Sequence, residues 1–394
     1  MRTHAIERPD RPLSKLLALT AAALLAVAFL ALVVVGAAGA DKGKGKDDRI
    51  DLRRGAVYAM TNDAAGNRVL AYARARDGSL SLQGAYATGG EGTSRIRLSS
   101  QGPVVLTENG RQLLVVNVGS SEISVFDVRR NGLELRTVVP SGGSTPNSIT
   151  VRGKLVYVLN NGGTGLGNIT GFRLSRDSSL VQIAGSTRPL SAAGSDPAQV
   201  SFTPDGDSLV VTEKATNRIL TWGVSDDDLP FAREVHDSHG VTPFGFDFTR
   251  DGTFVVTNAE EGIVGAATAS SYTLEGGFRT ISGSVPDFRS EVCWTVISKD
   301  QRYAYVANFG DGTISSYTIG RDGSITLLES VAASTTPGQL SIRDADRSRD
   351  GRYLYAIDIT SRMVHGWAIE DDGSLTSIGA FPGLPGTVAG LAAR

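Results

Sequence analysis

The chain has 394 residues, 41% of them hydrophobic, 20% charged and 7% aromatic, with 47 glycines and a formal net charge of −2. That balance argues against nucleic acid as a partner, and so much glycine suits a turn-rich globular chain better than a helical bundle. Cys293 is the only cysteine, which excludes an intramolecular disulfide and a thiolate zinc site.

At the N-terminus, Arg2, Arg8, Arg11 and Lys15 precede an uncharged, largely apolar run from Leu16 to Val35, and Ala38, Gly39 and Ala40 supply small residues for cleavage. A signal peptide is expected over 1–40, with a retained membrane anchor as the alternative. As a helix the run would reach about 30 Å, enough to cross a bilayer. Either reading places the protein outside the cytoplasm, in the cell envelope or beyond. Residues 41–54, beginning DKGKGKDDR, read as a solvated linker.

From Gly55 onward one unit recurs seven times. Its first strand appears as GAVYAMTN, RQLLVVN, GKLVYVLN, DSLVVTE, GTFVVTN, RYAYVAN and RYLYAID, each rich in β-branched or aromatic residues and bounded by turn formers. About ten residues later comes a strand with a central aromatic: Tyr72, Phe126, Phe172, Trp222, Tyr272, Tyr317 and Trp367. From Tyr72 to Trp367 the spacing averages about 49 residues, close to the ~40 to 50 of four-stranded propeller blades. Hairpin turns in DGSLSL, NGLELR, DGSITLL and DGSLTSI lead to a third strand. A fourth, PNSITV, PAQVSFTPDG, PFGFDFTRDG or EVCWTVISKD, precedes the next unit and is expected to line a central channel. The predicted fold is therefore an all-β, seven-bladed propeller over 55–394. The closing GTVAGLAAR is expected to complete the blade begun near Gly55, leaving no open sheet edge.

On the stretches RYAYVANFGDGTISSYTIGRDGSITLL, SFTPDGDSLVVTEKATNRIL and SRDGRYLYAIDI, the chain resembles the lactonase-like seven-bladed propellers, which include 6-phosphogluconolactonase and 3-carboxymuconate cyclase enzymes. Catalytic members of that family carry histidines after prolines on inner strands, with an acidic residue and an arginine in the next unit's first hairpin. Here Glu213 and Arg218 match the acidic and arginine positions. The histidine positions hold Asn147, Ala198 and Phe244 instead.

Comparing the seven units with one another isolates the candidate site. Five first strands end in asparagine, Asn62, Asn117, Asn160, Asn258 and Asn308, each expected to bond the backbone of its own turn. Glu213 and Asp358 put a carboxylate at the same position. A carboxylate withdrawn from water costs several kcal/mol unless paired, and Lys214, Asn217 and Arg218 are near enough in sequence to supply donors. The segment IRDADRSRDG breaks the inner-strand pattern, with Arg347 where Phe202 and Phe248 stand elsewhere and Arg343, Asp344 and Asp346 beside it. Asn147 and Gln199 complete the candidate ligand-binding set. Against a functional reading stand an exposed ion pair at Glu213 and a self-satisfied charge network in blade seven.

Other signals are weaker. His236 and His239 read as a solvated loop with no third ligand nearby. Cys293 and Trp294 read as core, and GTGLGN at 163–168 lacks the strand-then-helix setting of a phosphate loop. The expectation is a monomer without metal or cofactor that binds a small polar molecule or an extracellular partner, touching membrane only through its N-terminal segment. The alternative is a lactone hydrolase using Glu213 and Arg218.

Overall fold

The computed structural model describes residues 51–95 and 98–394, so the expected signal or anchor segment and most of the expected linker lie outside the described residues. Among those described, no helix is long and apolar enough to cross a membrane. Seven antiparallel sheets of four strands form the blades, the third carrying a divided outer edge in which Leu180–Gln182 and Arg188–Ala193 both pair with Leu166–Leu174. The innermost strands of successive blades touch in a closed circuit: Val104–Leu106, Pro146–Arg152, Pro197–Phe202, Pro243–Phe248, Val292–Ile297, Ile342–Arg347 and Leu391–Ala393. Blades are numbered here from the sheet containing Ala56–Met60.

Closure follows the expected scheme. Leu391–Ala393 pairs antiparallel with Ala56–Met60, Leu391 opposite Ala59 and Ala393 opposite Val57, so blade 1 joins both ends of the described chain. The second strands of the blades, such as Gln112–Asn117, Tyr303–Asn308 and Tyr353–Asp358, are buried along their whole length because sheets pack on both faces. They therefore read as continuous apolar runs and not as alternation. Outer strands such as Pro230–Asp237 are largely exposed and carry the charge.

The recurring aromatics are packing elements. All seven, from Tyr72 to Trp367, are buried, each contributing about 1.5–3 kcal/mol of apolar burial. Buried tyrosine hydroxyls need partners and find them on the neighbouring blade. Tyr72 donates to the Pro382 carbonyl and Tyr317 to that of Val285, while the second-strand residues Tyr305 and Tyr355 donate to the Gly373 and Gly78 carbonyls. The strand-ending asparagines differ from expectation in detail. Asn258 and Asn308 donate to hydroxyls at the start of the next strand, Thr268 with Ser270 and Thr313 with Ser315, so they clip strand to strand across the turn.

Candidate functional site

Inner strands of a propeller do not hydrogen-bond one another through their backbones, so side chains must tie them around the channel. Gln199 of blade 4 donates to the Phe246 carbonyl and accepts from the Phe246 N–H of blade 5. Asp247 accepts from the Ile297 N–H of blade 6, and Asp344 and Asp346 accept from the Leu391 and Ala393 N–H groups of the closing strand. Arg347 donates to the Ile297 carbonyl at 2.7 Å. The charged strand of blade 7 is thus a latch on the ring, made mainly of carboxylate-to-amide bonds. Burial pushes all three aspartates up, Asp346 to about 6.

The connection from blade 1 to blade 2 runs for sixteen residues, Thr88 to Pro103, and its end crosses the channel. The Gln101 N–H donates to the Ala198 carbonyl of blade 4, and the Ile149 N–H of blade 3 donates to the Gly102 carbonyl. On the far side the Gln101 carboxamide pairs with the backbone of Thr295 in blade 6, donating at 2.8 Å and accepting at 3.1 Å. Residues 99–102 therefore form a plug with a cavity on each side.

The upper cavity, about 350 Å³, lies where inner strands begin and second strands end. Lys214, just past the second strand of blade 4, has a side chain only 7% exposed. Its Nζ donates to the Ser99 carbonyl of the plug at 2.6 Å, stands 3.4 Å from Asp196 Oδ1, and sits 4.9 Å from the centre of the Phe244 ring. Burial pulls this ammonium below the usual lysine range, with Asp196 opposing. Trp294 packs edge-on against Phe244 at 5.4 Å and donates its indole N–H to the Ser100 carbonyl. The buried Arg343 guanidinium lies 4.3 Å above the Phe309 ring. Glu261, Glu291 and Cys293 also line the wall. Cations, carboxylates and aromatic faces thus meet in one small concave space, the composition of a site for a small polar ligand.

The family described as Lactonase, 7-bladed beta-propeller, matches residues 258–387. The periplasmic gluconolactonase of Pseudomonas aeruginosa is similar in structure, with a TM-score of 0.68 over 86% of this chain and 98% of that one at 16% identity. The chain is a seven-bladed β-propeller whose residues 258–387 match the lactonase family. A protein of Bacteroides uniformis assigned as a 6-phosphogluconolactonase matches with a TM-score of 0.65 over 86% of this chain and 99% of that one at 17% identity. The hydrazine synthase of Kuenenia stuttgartiensis reaches 0.57 over 84% and 99% at 16% identity, so the shared architecture alone does not name a reaction. No curated protein matches the chain.

In this propeller the sequence-derived site residues fall into three groups. Lys214, Asn217 and Arg343 line the upper cavity. Gln199, Asp344 and Arg347 line the lower one, engaged in ring lacing. Glu213, Arg218, Asn147 and Asp358 line neither. The Glu213 carboxylate, wholly buried, turns toward blade 3, where it accepts from the Ser191 N–H at 2.9 Å, from the Ser191 hydroxyl, and from the Thr216 hydroxyl at 2.6 Å. Arg218 stands opposite it in the strand pairing. Asn147 donates to the Pro197 carbonyl, tying blade 3 to blade 4. Asp358 caps its turn, accepting from the N–H groups of Thr360 and Ser361 and from the Thr336 hydroxyl.

The histidine pair is divided as well. His236 stacks on Phe278 with centroids 4.0 Å apart, whereas His239 contacts the Ser284 hydroxyl. Sequence reasoning missed Ser99, Asp196, Phe244 and Phe309 as wall residues, while Cys293 and Trp294, read as core, are indeed buried in a core cluster and also border the cavity. The unusual length of the connection from blade 1 to blade 2 was the available signal, since propeller connections are otherwise short.

Proposed function

We propose that the upper cavity binds a small polyhydroxy acid or lactone, the size of a single sugar ring. The observation that carries this reading is the Lys214 ammonium, held almost out of water in the cavity wall between an aromatic face and one carboxylate. Such a cation is placed to meet a carboxylate or lactone carbonyl. Phe244 and Trp294 offer apolar faces to ring C–H groups, and Asp196 and Glu261 offer acceptors to hydroxyls. Glu213 serves the site indirectly, because its bond to Thr216 fixes the turn that carries Lys214 and Asn217. The gluconolactonase of similar fold supports the ligand class.

Hydrolysis is the second reading, favoured by the same Lys214, which could polarise a lactone carbonyl while Glu261 accepts a proton from water. The test is a panel of sugar lactones and their open acids, scored by thermal shift and by acid release, on the wild type and Lys214→Met. Binding that the substitution abolishes supports the site, since a ligand for the native state must raise its stability. Failure of every compound to shift the wild type, or an equal shift in both proteins, overturns it. Acid release by the wild type alone selects the enzymatic reading. Export rests on the apolar run after Lys15, and cell fractionation that finds the chain only in the cytoplasm would refute it.

A further inference from the structure

On the opposite face of the ring a separate cavity of about 440 Å³ opens between the segment 51–54 and the turn joining the first two strands of blade 2. Arg53, Arg54, Arg111 and Arg394 line it against one carboxylate, Asp51. That carboxylate is already engaged, accepting from Arg53 Nε at 3.1 Å with Arg54 Nε at 3.6 Å. Arg111 makes no ion pair with any described residue, and the Arg54 side chain is 86% exposed.

Arg394 donates a guanidinium N–H to the Gly110 carbonyl, while its own backbone oxygen is taken by Arg74 Nε at 3.1 Å. Burial lowers the proton affinity of its guanidinium, with Arg349 and Arg53 acting in the same direction and Tyr58 and Asp51 opposing. The lower channel cavity, which shares Gly110 and Arg394 with this cleft, is of mixed charge, with Arg347 and Arg349 offset by Glu108, Asp247, Asp344 and Asp346, so the excess of cations is confined to the cleft itself.

A chain of net charge −2 has no general excess of cations, so their convergence on one concave spot calls for a counter-charge. Like charges held together are destabilising in isolation and favourable once an anion sits among them. Guanidinium forks match the oxygens of phosphate in spacing and number of donors. We propose that this cleft is a binding site for a phosphate-type anion, either a free oligophosphate or a phospholipid headgroup. The site is independent of Lys214, which lies on the other side of the plug.

The test titrates the full chain by calorimetry at low salt with inorganic phosphate, inorganic pyrophosphate and short-chain dihexanoylphosphatidylglycerol below its micellar concentration. Arg54→Ala/Arg111→Ala is the variant, and Arg321→Ala, an exposed cation on another turn of the same face, is the control. The expected result is binding of at least one probe, roughly ten-fold weaker in the double variant and unchanged in Arg321→Ala and Lys214→Met. Preference for pyrophosphate assigns a soluble ligand, and preference for the lipid assigns a headgroup. Absence of binding by all three probes to the wild type overturns the proposal, as does equal affinity in the double variant.

Discussion

Replacing Glu213 by glutamine separates a carboxylate that builds the structure from one that performs chemistry. The wild-type side chain receives three hydrogen bonds, from the backbone and hydroxyl of Ser191 and from the hydroxyl of Thr216, in a site with no exposure to solvent. Glutamine keeps the volume but presents one NH₂ where two oxygens accepted. At least one donor must then rotate away or go unmade, and the charge that strengthens the remaining bonds is lost. A buried donor left without its partner costs about 1–3 kcal/mol, and hydrogen bonds to a charged group contribute about 1.5–3 kcal/mol. Glu213→Gln is therefore expected to lose about 2 kcal/mol and Glu213→Ala more, since alanine orphans all three donors and leaves a cavity.

Urea unfolding measures this directly, as a fall in midpoint at unchanged slope. Ligand affinity in the upper cavity should persist in the glutamine variant at temperatures where it remains folded, weakened at most by loosening of the Thr216 turn. A glutamine variant as stable as the wild type but without binding or turnover would refute the structural role assigned to Glu213.

Asp287 is wholly buried between blades 5 and 6, and burial pushes its carboxyl to about 7 although the Arg289 N–H and the Ser315 hydroxyl donate to it. The folded chain thus holds this proton more tightly than the unfolded chain does, so stability should fall by up to a few kcal/mol as pH rises from about 4 to about 7. Asp287→Asn should flatten that slope in unfolding experiments across the same range. Leu391→Ala removes buried side-chain volume from the closing strand and is expected to cost about 2–4 kcal/mol by urea titration, although it lies three residues from the end of the sequence. In Gly245→Ala the added methyl would meet the Gln101 carboxamide and lie 2.6 Å from the Cys293 carbonyl oxygen, so it should displace the plug and weaken ligand binding in the upper cavity by calorimetry.

The architecture was legible because a propeller repeats its physics. Seven buried aromatics at near-equal spacing and turn residues at fixed offsets each report the same local solution, and the final GTVAGLAAR stood out as a strand lacking a unit of its own. The site was only partly legible. Comparing units identified Glu213, Asp344, Arg347 and Asp358 as unusual, yet a polar residue can break the pattern to lace two blades or cap a turn as readily as to bind a ligand. Asp344 looks like a channel charge in sequence, and in the fold it accepts the Leu391 N–H that shuts the ring. The plug could not be read from periodicity, because 99–102 belong to no strand and meet blades 3, 4 and 6 only after the ring has closed. Lys214 was found through its neighbour Glu213, and its significance comes from the Ser99 carbonyl more than a hundred residues away in sequence.

Soaking crystals of the protein with whichever sugar lactone or acid gives the largest thermal shift, and locating its density, tests the ligand site most directly. The expected density lies above the plug, with a carboxylate or carbonyl oxygen within hydrogen-bond reach of Lys214 Nζ and the ring against Phe244 or Trp294. Density beside Glu213 on its blade 3 side, or below Gln101 with the upper cavity holding only water, would contradict it.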